Sequence, residues 1–239
     1  MGFHHSFANV RGGASVGHKL HSAELNPRRI IWINPSKVLK GHNLLEKRER
    51  RECHVIDGEW DQEVSPFSQY WLCRFLMERF VDGQPWAECA GFKTVFKYIE
   101  ERGAFWHGCC HEQDVLERCA KVDKLYSSII NDGYIIPQPL EFGFSGIAVA
   151  PTPDAVAVNV GRQGQFIYEN GTHRLSIALA LGFSLIPVRV VVRHKHWQDI
   201  RERLALTRSV DRLDEALKRH IQHPDVQYLG ATLQANSAA

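Results

Sequence analysis

The sequence predicts an α/β (α+β) fold, a small mixed sheet with helices packed on it and an inserted helical subdomain. Three observations predict it. Short apolar runs rich in β-branched residues stand near both ends of the chain, at 29–33 and between 155 and 192. From 64 to 131 the apolar residues instead recur at the spacing of a helix face. A chain of 239 residues, 44% of them hydrophobic, can bury one sizeable core unaided and is short for two independent domains.

The first element is the run Arg29-Ile-Ile-Trp-Ile33, a strand closed by the turn pair Asn34-Pro35. Residues 37–45 read as a short irregular or helical connection. The charged run at 46–52 mixes both signs and reads as a solvated face. Tyr70, Trp71, Phe75, Leu76 and Phe80 mark a core-facing helix, and Phe92, Val95, Phe96 and Ile99 mark a second. Trp60, Trp71, Trp86 and Trp106 fall in the same stretch, where clustered aromatics pack a small core. A third helix covers 114–131 and stops at Asp132-Gly133.

Residues 135–139 read as an extended apolar segment restrained by two prolines, and Gly143 and Gly146 mark a loop. Val156, Val158 and Val160 alternate along a strand that turns through 161–164 into a second strand, giving a hairpin. A glycine-containing turn then opens a helix that Gly182 ends. Ile186 to Val192 is a buried strand with Arg189 and Arg193 on one face. Ile200, Leu204, Val210, Leu213, Leu217 and Ile221 continue at helical spacing, and 222–239 reads as a frayed tail. The expected organisation is a flexible segment 1–28, a core of 29–56 and 109–200, a helical insertion 57–108, and a C-terminal helix and tail 201–239.

With 29 Lys+Arg against 27 Asp+Glu the formal net charge is +2, which argues against a surface built wholly for nucleic acid. The longest apolar stretch, 175–192, is broken by Ser176, Gly182, Pro187 and Arg189, so no membrane span is expected. Residues 1–22 lack the apolar core of a secretory signal, and a cytoplasmic protein is expected. The six cysteines include no C-x-x-C pair and read as small buried side chains. Cys109, Cys110, His111 and Cys119 are zinc-type ligands, but adjacent cysteines rarely chelate one ion and no second spaced pair follows.

The most informative segment is 168–175. The first N–H groups of a helix have no intrahelical partner, and the helix dipole adds positive potential there, so a turn that opens a helix presents an anion site. Asn170 and Gly171 form that turn, Gly171 permitting close approach. Thr172 offers a hydroxyl, His173 a donor able to charge near neutral pH, and Arg174 a bidentate phosphate fork. The alternative is a structural turn in which Asn170 or Thr172 caps the helix and Arg174 pairs with a surface acid.

The box Glu169-Asn-Gly-Thr-His-Arg-Leu-Ser-Ile-Ala, followed by Leu-Gly-Phe-Ser-Leu-Ile-Pro-Val-Arg-Val, resembles the glycine-x-His-Arg box, helix and "I-P-V" strand of the ParB/sulfiredoxin superfamily. The likeness extends over roughly 29–40 and 120–195 and is strongest at 169–192. It implies a ParB/sulfiredoxin-like sheet holding nucleotide phosphates on Gly171, Thr172, His173 and Arg174. The superfamily includes DNA- and CTP-binding partition proteins, ATP-using sulfiredoxins and free-serine kinases, so the fold does not choose a function. Thr172 replaces the sulfiredoxin nucleophile, which disfavours sulfinate reduction. About 45 residues follow Arg193, too few for the partition proteins' DNA-binding region, which disfavours sequence-specific DNA binding. The kinase-like branch is nearest.

A kinase also needs a carboxylate to accept the hydroxyl proton, and usually Mg²⁺. Asp57, Glu59 and Asp61, around a glycine and a tryptophan, are the first candidates and Glu169 the second; a solvated loop is the alternative. Arg189, Arg193, His194, Lys195 and His196 form a basic run that suits a phosphate tail, or a strand end meeting solvent. The expected function is a nucleotide-dependent phosphotransferase using ATP or another nucleotide with Mg²⁺ on a small hydroxyl-bearing substrate. The alternatives are a nucleotide-gated regulator without transfer chemistry, touching DNA, and a ParB-like nuclease.

Overall fold

The structure, a computed structural model, describes residues 23–26, 29–42, 55–134, 155–207 and 212–230. Its longest strand is β7 (Ile186–His194), whose run of valines is buried on both faces, as a strand with neighbours at both edges and cover on both sides requires. β5 (Val156–Val160) runs parallel to it, with Val156 opposite Val188 and Val160 opposite Arg193. β6 (Phe166–Asn170) returns antiparallel along β5 as the expected hairpin. β2 (Leu39–Gly41) joins β6 in parallel. At β7's other edge, β1 (Ile30–Ile33) pairs antiparallel with 186–189. The two-residue β3 (Val55–Ile56) pairs parallel with Arg193 and His194. β4 (Val64–Pro66) pairs with β2, so the order among the described residues is β1-β7-β5-β6-β2-β4, a mixed sheet.

Two of these strands differ from the expectation. β2 lies where an irregular or helical connection was read, because a 3-10 turn at Pro35–Lys37 redirects the chain. The Asn34 carboxamide stabilises that turn by accepting from the Ser36 N–H at 2.9 Å. A strand of three residues is too short to display a period. β4 belongs to the sheet although it falls within 57–108, so the helical part of that insertion begins at α1 (Trp71–Phe80).

Helices α1, α2 (Ala90–Arg102) and α3 (Glu112–Asp132) follow the apolar spacing closely. The Asp114 carboxylate accepts from the Cys110 and His111 N–H groups and so starts α3. Gly91 sets the crossing of α2 on α1: a Cβ there would lie 2.2 Å from the Phe75 ring, so only glycine lets the helices approach. α1 serves two cores. Cys73 and Met77 face the sheet core with Leu175, Ala178 and Val158, while Leu72, Phe75 and Leu76 face a helical core with Val95, Val115, Val122 and Ile177. A third cluster, Trp60, Ala157, Ile167, Val191 and Val192, covers the sheet's other face.

After β7 the single helix expected over 197–221 is broken into α5 (Lys195–Leu206) and the short α6 (Glu215–Lys218), capped by Asp214. Nor do residues 223–230 behave as a tail. Asp225 is fully buried, with its carboxylate 2.6 and 2.9 Å from the Arg193 guanidinium and 2.9 Å from the Trp197 indole N–H. Arg201 contacts both its carbonyl and its carboxylate. Burial pushes the Asp225 carboxyl up, but the two guanidiniums outweigh it and hold it below the usual carboxylate range.

The extended segment expected at 135–139, its loop glycines, the charged run at 46–52, Cys53 and most of 1–28 lie outside the described residues. No helix among the described residues is long and apolar enough to cross a membrane.

Candidate functional site at the start of helix α4

β6 delivers Asn170 and Gly171 to the start of α4 (Thr172–Ala180). Gly171 has φ 89 and ψ 36, the left-handed region, and a Cβ there would come within 3.0 Å of the Val156 Cα. Glycine is therefore required twice, by dihedral and by space. No side chain of the cap residue closes the helix. Instead the Tyr168 hydroxyl rises from β6 and pairs with the Thr172 hydroxyl. Thr172, expected as a phosphate ligand, is thus engaged by Tyr168, while Asn170 accepts from the Gly171 N–H. Gly171→Ala should destabilise the fold by about 1–3 kcal/mol through strain and displacement of Val156, measured by chemical denaturation.

His173 turns toward the helical insertion. The Trp106 indole N–H donates to His173 Nε2 at 3.2 Å, which leaves the ring proton on Nδ1. The His107 ring stacks on it with centroids 5.4 Å apart. Burial, with smaller contributions from His107, Arg118 and Arg174, pushes the His173 pKa down to about 4. At neutral pH this histidine is therefore a neutral donor, where the sequence suggested a donor able to charge near neutral pH. Its folded pKa of about 4 lies below the ordinary 6.5, so the unfolded chain binds the extra proton and stability falls as pH drops from 6.5 toward 4. His173→Gln should flatten that slope in urea melts taken across the interval.

The partner loop is strained. Trp106 (φ 44) and His107 (φ 64) are both left-handed and precede Gly108 (φ 83). Each non-glycine residue there costs roughly 1–3 kcal/mol. The bond to His173, the Cys109 thiol donating to the Trp106 carbonyl at 3.1 Å, and the Phe75 ring 5.5 Å away hold the loop. Tyr134 closes the other side by donating from its hydroxyl to the Arg174 carbonyl.

The acids are divided between two ends of the sheet. Glu169 stays at the α4 end, but strand alternation puts it on the face opposite Tyr168 and α4, where it accepts from the Asn159 amide at 2.9 Å. Arg189 is also at that end, opposite Ala157, which in turn faces Asn170. Asp57, Glu59 and Asp61 follow β3 and lie at the far end of β7, where β3 pairs with Arg193 and His194. From Val188 to Arg193 is five residues, roughly 17 Å along the strand.

There, buried Asp61 binds Arg162 three ways, accepting from its backbone N–H at 2.7 Å and from Nε and Nη2 at 3.0 and 2.8 Å. Burial raises the Asp61 carboxyl, and the Arg162 contacts more than reverse it. Glu59 pairs with the same guanidinium at 3.0 Å, and exposed Asp57 with Lys195 at 3.5 Å. This corrects the expectation that Asp57, Glu59 or Asp61 serves the phosphate turn. Arg193 is a second correction: a register shift between Val158 and Val160 breaks the alternation, so it leaves Arg189's face and is buried on Asp225.

The structure thus gathers Asn170, Gly171, Thr172, His173 and Arg174 with Tyr168, Trp106, His107 and Tyr134. Of the partners missed, Tyr168 was readable as lying two residues before the turn on the same strand face. Trp106 and His107 carry no local signal beyond the following glycine. Among the described residues no group of three or more His, Cys, Asp or Glu is placed to share a metal ion. Of the zinc-type cluster, Cys109 and Cys119 are buried thiols and Cys110 is exposed. For Mg²⁺, Glu169 is the expected acid at the α4 end, but it stands on the sheet face opposite α4, so a bound nucleotide would hold Mg²⁺ mainly through its own phosphates and water. Compared with known proteins, the chain matches no family model, no curated protein and no solved structure.

Proposed function

We propose that the chain binds a nucleotide, ATP or another, at the start of α4 together with Mg²⁺, as the resemblance to the ParB/sulfiredoxin superfamily implies. The observation that carries the reading is Gly171. A left-handed residue pressed against Val156 brings the backbone to its closest approach at a helix start that no cap side chain closes. The His173 N–H, its neutral Nδ1–H and the Arg174 guanidinium are the donors for the phosphates, and the dipole of α4 adds to them. The insertion, through Trp106 and His107, forms the wall of the site. Buried thiols at Cys73, Cys89, Cys109 and Cys119 suit the reducing cytoplasm expected.

Phosphoryl transfer to a small hydroxyl compound would rest on Glu169, which stands at the α4 end but on the opposite face of the sheet, bonded to Asn159. The alternative of a nucleotide-gated binder without transfer chemistry is favoured by the ion pairs that hold Asp61, Glu59 and Asp57 at the far end of the sheet. The test is a thermal-shift panel of ATP, ADP, CTP and GTP with Mg²⁺ on the wild type and Arg174→Ala. A selective rise, corresponding to about 2.7 kcal/mol at a hundredfold excess over Kd and absent from the variant, is expected. No rise with any nucleotide overturns the reading. A kinase would additionally lose turnover but not nucleotide binding in Glu169→Gln.

A further inference from the structure

Beside the strained loop lies a small cavity of about 170 Å³, lined by His107, Gly108, Cys109, Asp114, Glu117, Arg118 and Lys121. It is smaller than the roughly 300–1,000 Å³ of drug-sized ligand pockets and suits a compact polyatomic group. Its charges are unevenly engaged. Asp114 is taken up by the Cys110 and His111 N–H groups, and Glu117 accepts from Gln113. Half-buried Arg118 has no carboxylate within ion-pair distance among the described residues and lines the cavity beside Cys109. Lys121 stands exposed one helical turn further along α3. A half-buried guanidinium with no carboxylate partner among the described residues is suited to receive an anion.

The histidines agree on the sign of the field. After burial, Arg118 is the charge that lowers the His107 pKa, and it also lowers that of His173, so both rings sit neutral in positive potential. Two adjacent non-glycine residues in the left-handed region keep His107 at the mouth of this cavity, and strain of that kind persists where a ligand clamp over-determines the backbone.

We propose that this cavity binds a phosphate group, with Arg118 as its fork, Lys121 at its rim and the His107 imidazole as a further donor. The phosphate belongs either to the nucleotide at α4 or to a second, phosphorylated molecule. The chemistry is the same, and the proposal stands without the nucleotide reading.

The test is a titration of the full chain with inorganic phosphate at pH 7, read on the histidine ring resonances. The His107 and His173 signals should shift and saturate, and Arg118→Gln should weaken binding at least about tenfold while Arg118→Lys retains part of it. Rings unmoved up to about 20 mM phosphate, or an Arg118→Gln protein that binds as the wild type does, would overturn the proposal. Should Arg118→Gln fail to fold, the wild-type titration still decides, and exposed Lys121→Gln should weaken binding about threefold. Displacement of phosphate by ATP identifies the nucleotide as its source, and simultaneous binding identifies a second molecule; both uphold the cavity. Phosphate binding without any nucleotide stabilisation would remove the α4 reading alone.

Discussion

Replacing Asp225 by alanine is expected to destabilise the protein by about 3–5 kcal/mol, because it strands two guanidiniums in the interior with no counter-charge. Arg193 and Arg201 are 2% and 0% exposed, so water cannot take over the role of the carboxylate. For a domain of this size the melting temperature should fall by roughly 6–20 °C. Differential scanning calorimetry checks it, and a fall of 2 °C or less (about 1 kcal/mol at most) would show that residues 223–230 do not lock the fold. Acid should act in the same direction. The Asp225 carboxyl is held below its ordinary 3.8 in the folded chain, so its contribution is complete above that value and is lost as pH falls below it.

The second large effect belongs to Asp61. Asp61→Ala should destabilise by about 2–4 kcal/mol, somewhat less than Asp225→Ala because the Arg162 side chain it abandons still reaches solvent. Arg162 joins the β5–β6 turn to the loop after β3, so the loss should appear as early unfolding of that end of the sheet in hydrogen exchange. Nucleotide-induced stabilisation should survive. An Asp61 that acted as catalytic base would behave oppositely, with activity lost and stability kept.

The sheet and the long helices were legible because their signals are local. Val156, Val158 and Val160 alternate, α1 to α3 repeat at the helical period, and Gly171 announces a turn that opens a helix. Three features were not legible, each for a physical reason. β2 and β4 have three residues each and no period to detect. The C-terminal lock is polar: Asp225 reads as surface until Arg193 and Arg201 meet it across 32 and 24 residues of chain.

At the candidate site, contiguous residues 170–174 were found together because one turn carries them. The partner acids were misplaced because spacing along the chain says nothing of which end of β7 a loop returns to. Pairing of β3 with Arg193 and His194 sends Asp57, Glu59 and Asp61 to the far end. The Trp106–His173 bond spans 67 residues and depends on a left-handed tryptophan, a conformation that residue type gives no reason to expect.

The central claim, that phosphates bind at the start of α4, is tested most directly by titrating the isotopically labelled protein with ATP and Mg²⁺ and following backbone amides. The account predicts that the largest shifts fall on Gly171, Thr172, His173 and Arg174, spread to Trp106 and His107, and leave Asp57, Glu59 and Asp61 unmoved. Shifts centred on Asp57 to Asp61 and Lys195, or no shifts at saturating nucleotide, would contradict it.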